Sequence, residues 1–234
     1  MKRRIMAALL ILVCLLCACG KPSATAEAPP METPPPPTPP LETGAVPEIT
    51  VSEPTPEDFV RVLDRVPGIR QELMYATDRN FTGQVIYGFS DAYLRYGTVK
   101  KLAAVSADLA ELGLSLKIWD SYRPVSAQFK LWEVCPNPAF VADPRKGFSS
   151  HSRGNTLDVT LVDADGNEQE MPTGFDDFSA KADRDYSDCS ETAAAHAALL
   201  ESLMEKHGFQ GYYAEWWHFS DTDEYPVEES FIPS

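Results

Sequence analysis

The chain has 234 residues, 20 of them Pro, and carries 35 acidic against 20 basic side chains, for a formal charge of −15. That is long enough for one substantial hydrophobic core once tails are set aside. So acidic a chain argues against nucleic acid and against electrostatic clinging to anionic polymers, and suits a small or zwitterionic ligand.

The N-terminus opens with Met1-Lys2-Arg3-Arg4, then an apolar run from Ile5 to Leu16, then Leu16-Cys17-Ala18-Cys19. A charged start followed by a short apolar stretch is the pattern of a secretory signal, too short for a comfortable membrane span. Small residues before Cys19 resemble a bacterial lipobox, which implies cleavage before Cys19 and lipid attachment to its thiol. An ordinary cleaved signal or an uncleaved anchor are the alternatives. Loss of Lys2, Arg3 and Arg4 takes the exported chain from −15 to −18. Residues 1–18 are therefore expected to be the signal and 19–56 a tether. Within the tether, Pro34 to Pro37 and Pro39-Pro40 favour an extended polyproline spacer without a core. The only membrane contact expected is through the N-terminal lipid.

The folded domain is expected over 57–234. Val60, Leu63 and Val66 begin an apolar pattern leading to Pro67. Tyr75 to Gly83 is polar and turn-prone with aromatic insertions, the character of a pocket wall. Val99, Leu102, Val105, Leu109 and Leu112 fall on one helical stripe, with Gly113 as the stop. Leu114, Leu116 and Ile118 alternate as a strand that ends before Pro124, which puts Arg123 at the strand end. Ser126 is a plausible N-cap for a helix to about Val134. Asp165-Gly166-Asn167 reads as a hairpin turn. A helix follows from about Ser190 to His207, stopped by Gly208, and then a strand carrying Tyr213 to Phe219. Mixed order and short strands predict an α+β domain with a mainly antiparallel sheet flanked by helices. Cys135 and Cys189 are the domain's two cysteines; in an oxidising exterior they pair, or they stay as separate buried thiols.

Two stretches carry chemistry. Ser149-Ser150-His151-Ser152-Arg153-Gly154-Asn155-Thr156-Leu157-Asp158 and Glu215-Trp216-Trp217-His218 together offer two imidazoles and two carboxylates. That is the kit of a zinc site with one open position: His151, Asp158 and His218 as ligands, one Zn2+ per domain, and Glu215 beside them. Gly154 and Asn155 break the chain after His151. Leu157, Val159 and Leu161 then alternate with Asp158 and Thr160, turning Asp158 to the face opposite the apolar residues. Glu215 and His218 are three apart, so a regular strand would point them to opposite faces; a bulge or a strand end is required. At least one of Trp216 and Trp217 is expected in the core. His196 and His207 read as structural.

With these stretches in hand, the chain resembles the zinc D-alanyl-D-alanine dipeptidases associated with vancomycin resistance. The resemblance rests on YATDRNFTG from Tyr75, DSYRP from Asp120, SSHSRGNTLDVTL from Ser149, TGFDDF from Thr173 and EWWHF from Glu215, in the family's order across 57–232. It implies that His151, Asp158 and His218 are the zinc ligands and that Glu215 is the catalytic base. It implies further that Arg123 stabilises the tetrahedral intermediate, and that Tyr75, Ser149 and Asp176 contact or shape the dipeptide site. The implied substrate is a small D,D-dipeptide, with a peptidoglycan stem peptide as the alternative. The address departs from the family, whose resistance enzymes act inside the cell.

Overall fold

The computed structural model describes residues 52–233. The signal segment 1–18, Cys19 and the proline-rich tether up to residue 51 lie outside the described residues.

The described chain runs β1 (Phe59–Arg61), β2 (Arg70–Gln71), β3 (Tyr93–Arg95), α1 (Tyr96–Glu111), β4 (Leu114–Asp120), α2 (Val125–Val134), β5 (Thr156–Asp163), α3 (Glu191–Lys206), β6 (Phe209–Tyr212) and β7 (Glu215–Asp221). β1 and β3 form a small antiparallel pair, and the main sheet has the order β2-β4-β5-β7-β6. Only the β2–β4 contact in that sheet is parallel. The fold is α+β with a mainly antiparallel sheet, as the mixed element order predicts.

The helices follow from pattern and termini. Val99, Leu102, Val105 and Leu109 of α1 are buried against the sheet, and Gly113 closes the helix at φ +71°. α3 starts at Ser190, whose hydroxyl accepts from the Ala193 N–H at 3.0 Å. Such a cap contributes about 1 kcal/mol. α1 and α3 pack on each other and on the sheet, and Leu200 and Met204 of α3 are fully buried.

Several boundaries differ from expectation. α2 is capped by Pro124, whose carbonyl accepts from Ala127 and Gln128, so Ser126 sits inside the first turn. Proline fixes its own φ and needs no N–H at that position. Tyr213 lies in the turn between β6 and β7, not in a strand. Near the start, Val62 and Val66 enter the core while Leu63 is exposed, because a 3-10 turn at 62–64 interrupts the stripe. The polar side of β5 is buried as thoroughly as its apolar side: Thr156, Asp158 and Thr160 are all enclosed. The expected pairing of Cys135 with Cys189 is absent; both are free thiols. Cys135 closes α2 and packs on the core, whereas the Cys189 sulfur, just ahead of α3, is directed at the Tyr186 carbonyl at 3.5 Å.

Candidate active site

Register across three strands builds the site. Asp120 of β4 lies opposite Asp158 of β5, and Asp158 lies opposite His218 of β7. Directly opposed residues share a face, so the three side chains form one row across the sheet. Neither neighbour of β5 is regular beside that row. β4 slips by one residue between Ile118 and Asp120, leaving Trp119 as the extra residue. Without that bulge Asp120 would face Leu157. β7 departs further: Gly211 opposes Phe219, yet the next residue, Tyr212, opposes Glu215. Residues 216–218 therefore have no partner on β6. This bulge brings Glu215 and His218 together, with Glu215 Oε2 3.6 Å from His218 Nδ1. Trp216 and Trp217 are both buried; Trp216 meets Trp119 edge-on at 5.7 Å and donates its indole N–H to Thr173.

His151 reaches the row from a 3-10 turn at Ser150–Arg153. Gly154 ends that turn at φ +75°, a left-handed conformation that glycine adopts without steric cost. The turn is tied to the Asp120–Pro124 segment: Arg123 N–H donates to the His151 carbonyl at 3.2 Å and Ser152 Oγ–H to the Arg123 carbonyl at 2.8 Å. His151 Nδ1 is 2.8 Å from the Ser121 carbonyl. A carbonyl can only accept, so Nδ1 carries the proton and Nε2 presents its lone pair.

That Nε2 lies 3.4 Å from His218 Nδ1 and 3.5 Å from Asp158 Oδ2, and His218 Nδ1 lies 3.0 Å from Asp158 Oδ1. Ligands about 2.0–2.1 Å from a tetrahedral zinc stand about 3.3 Å from one another. The donor set therefore fits such an ion in chemistry and in spacing, and among the described residues it is the one cluster of its kind. Although burial alone would raise it, the two imidazoles hold the Asp158 carboxyl well below the usual carboxylate range. Burial pushes the Glu215 carboxyl up, against the pull of His218.

The remaining expected residues line the same cavity, about 330 Å³ in volume: Tyr75, Arg123, Ser149, Asp176 and Glu215 all face it. Arg123 is buried and held by Asp120 through Nε at 3.1 Å and Nη2 at 2.5 Å, and by Gln128 through Nη1 at 3.0 Å. Its guanidinium lies 4.9 Å from the Tyr75 ring centre. Tyr75 donates its hydroxyl to Asp176 Oδ1 at 3.2 Å. Asp176 Oδ2 is buried without a hydrogen-bond partner, and the residue adopts φ +56°. Burial, reinforced by the charge of Asp158, drives its pKa well up. His196 and His207 lie elsewhere, bonded to the Glu170 carbonyl and to Asp108.

Residue reading alone missed the groups that hold Arg123. Asp120 stands inside the DSYRP stretch and Gln128 five residues after Arg123; a carboxylate three residues before a buried arginine was the available signal. Tyr87, which donates to Asp120 Oδ1 at 2.6 Å, carried none.

The chain is also similar in sequence to known proteins. Residues 56–233 match the Peptidase_M15 model, described as D-ala-D-ala dipeptidase. A D-alanyl-D-alanine dipeptidase of Escherichia coli is 40% identical over 154 residues, 65% of this chain and 79% of that protein. One of Enterococcus faecalis is 32% identical over 189 residues, covering 72% and 94%. One of Streptomyces coelicolor is 34% identical over 188 residues, covering 71% and 93%.

Proposed function

The chain belongs to the D-Ala-D-Ala dipeptidase family of peptidases, and from that premise we propose that it hydrolyses the free D-alanyl-D-alanine dipeptide to D-alanine with one zinc ion. His151, Asp158 and His218 would hold the ion. The observation that carries the reading is the convergence of three metal-type donors, a carboxylate with one unpartnered oxygen and a buried guanidinium on one small cavity.

Zinc, when bound, is a Lewis acid that polarises a carbonyl and makes water acidic near neutral pH. Glu215 is the proton carrier. Its carboxylate takes a proton from the attacking water and returns it to the leaving amine as the C–N bond breaks. Its raised pKa brings it closer to the value such a carrier needs. Arg123 is always charged, and the N–H groups not engaged by Asp120 and Gln128 can meet the oxyanion as it forms. Because Asp120 and Gln128 fix the guanidinium beforehand, little reorganisation is needed at that moment.

Asp176 selects the substrate. Its Oδ2 lacks a partner, and the free ammonium of a dipeptide supplies one. In a longer peptide the same nitrogen is an uncharged amide and leaves the carboxylate unpaired. Tyr75 orients Asp176, and Ser149 lines the same cavity. The signal-like N-terminus and Cys19 support an exported enzyme tethered on the extracytoplasmic face of the membrane, which salvages D-alanine or trims wall material.

The experiment is D-alanine release from free dipeptide and from a stem pentapeptide, with and without chelator. Chelator-sensitive release from the dipeptide is expected. Preference for the pentapeptide would make the protein a D,D-carboxypeptidase. Wall binding with no release from either would make it a non-hydrolytic module.

A further inference from the structure

The β7 bulge that aims Glu215 and His218 leaves main-chain carbonyls without partners on β6, and one side chain outside the cavity collects them. Arg184 donates through Nη2 to the His218 carbonyl at 2.9 Å and the Trp216 carbonyl at 3.1 Å, and through Nε to the Tyr212 carbonyl at 2.9 Å. Its own N–H donates to the Tyr213 carbonyl at 3.0 Å. The guanidinium thus touches both strands of the hairpin on either side of the irregular stretch.

The rest of its surroundings fix it there. The Arg184 side chain is only 6% exposed, and Nη1 lies 3.2 Å from Glu201 Oε1 on α3. Tyr186 donates its hydroxyl to the other Glu201 oxygen at 2.8 Å. The guanidinium carbon stands 4.3 Å from the Phe219 ring centre. Opposite, Gly211 leaves the space: a Cβ there would collide with the guanidinium.

We infer that Arg184 is a positioning residue for the reaction, a main-chain clamp that holds the β7 bulge open and so keeps Glu215 and His218 on one face. A strand relaxing toward regular register would send these residues, three apart, to opposite faces. A planar fork with several donors can bridge carbonyls from two strands; a point cation cannot. Arg184 touches no substrate atom and acts through the backbone beneath the ligand and the base. Two of its partners, the Trp216 and His218 carbonyls, belong to residues that the irregular strand leaves without partners on β6.

This inference rests on the zinc-dipeptidase reading, and the test separates the two. Arg184→Met keeps the apolar contact with Phe219 and removes every side-chain donor. Gly211→Ala leaves Arg184 in the chain and displaces its head. Each variant is measured by circular dichroism, by zinc affinity against a competing chelator, and by kcat and KM for the dipeptide. A folded variant is expected to bind zinc about 10–100-fold more weakly, the usual cost of losing support behind a metal ligand. At saturating zinc, kcat should fall about 10-fold or more, with KM changed far less because Asp176 is untouched. Wild-type zinc affinity and kcat in a folded Arg184→Met protein would overturn the inference. Should Arg184→Met not fold, the same readouts on Gly211→Ala decide. Failure of the wild-type protein itself to bind zinc would instead defeat the reading of the site.

Discussion

Asp120 and Arg123 form a buried, two-point ion pair three residues apart, with Asp120 Oδ2 accepting from Nε at 3.1 Å and Nη2 at 2.5 Å. Tyr87 and the Ser121 N–H occupy the other oxygen of Asp120. Removing one charge from a buried pair leaves the other uncompensated, at a cost of about 3–5 kcal/mol. Asp120→Asn is therefore expected to lower unfolding stability by about 3 kcal/mol in a denaturant titration. It should also reduce kcat, since Arg123 loses the partner that aims it. Unchanged stability would mean that Arg123 is solvated in a way its burial contradicts.

Asp176 pairs function with instability. Burial raises its folded pKa above the 3.8 of an ordinary aspartate. The folded state therefore holds this proton more tightly than the unfolded chain. Its contribution to stability is full below about pH 4 and is lost as pH rises through the folded value. Asp176→Asn removes that loss and keeps a side chain that tolerates φ +56°. In metal-free protein the variant is expected to be more stable than wild type at neutral pH, by about 1 kcal/mol, with the gap closing toward pH 4. Dipeptide KM should rise at the same time. Thermal scans at several pH values, paired with kinetics, check both halves.

Gly154 occupies a left-handed position in contact range of the Phe59 ring, where any Cβ would collide. Gly154→Ala combines backbone strain with that clash and is expected to cost about 2–3 kcal/mol. The damage should reach the site, because the Gly154 carbonyl accepts from the Arg95 N–H and the preceding turn carries His151. The check is a denaturation curve with a zinc titration on the same variant.

Much of the site was legible because its chemistry is intolerant of substitution. Imidazole, carboxylate and guanidinium have few stand-ins, so His151, Asp158, His218, Glu215 and Arg123 stand out even before folding. Their convergence on one cavity follows from the register of β4, β5 and β7. The need for a bulge between Glu215 and His218 was also readable, since their spacing contradicts a regular strand. Less legible were the groups that act through geometry. Arg184 lies in a polar loop and looks like any surface arginine; two of its carbonyl partners belong to residues that the irregular β7 leaves without partners on β6. Trp119 reads as one more strand residue, although its extra place in β4 is what turns Asp120 into the row. The two-residue strand β2 is too short for any periodicity to register. The cysteine pairing failed because a count of cysteines carries no distance.

Asp158 shares both imidazoles, which makes it the ligand whose loss is most informative. Asp158→Ala is expected to abolish stoichiometric zinc while the metal-free chain still folds. Circular dichroism and metal analysis after dialysis check this together. Full zinc occupancy in the variant would remove Asp158 from the ligand set.

Glu215→Gln tests the mechanism most directly. The amide keeps the size of the side chain but cannot carry a proton. Zinc content, melting temperature and D-alanine release from the free dipeptide are measured on one preparation. The mechanism predicts full zinc, a melting temperature near wild type, and turnover lower by roughly two to four orders of magnitude. Lost zinc would make Glu215 a ligand. Near-normal hydrolysis with zinc bound would contradict the account.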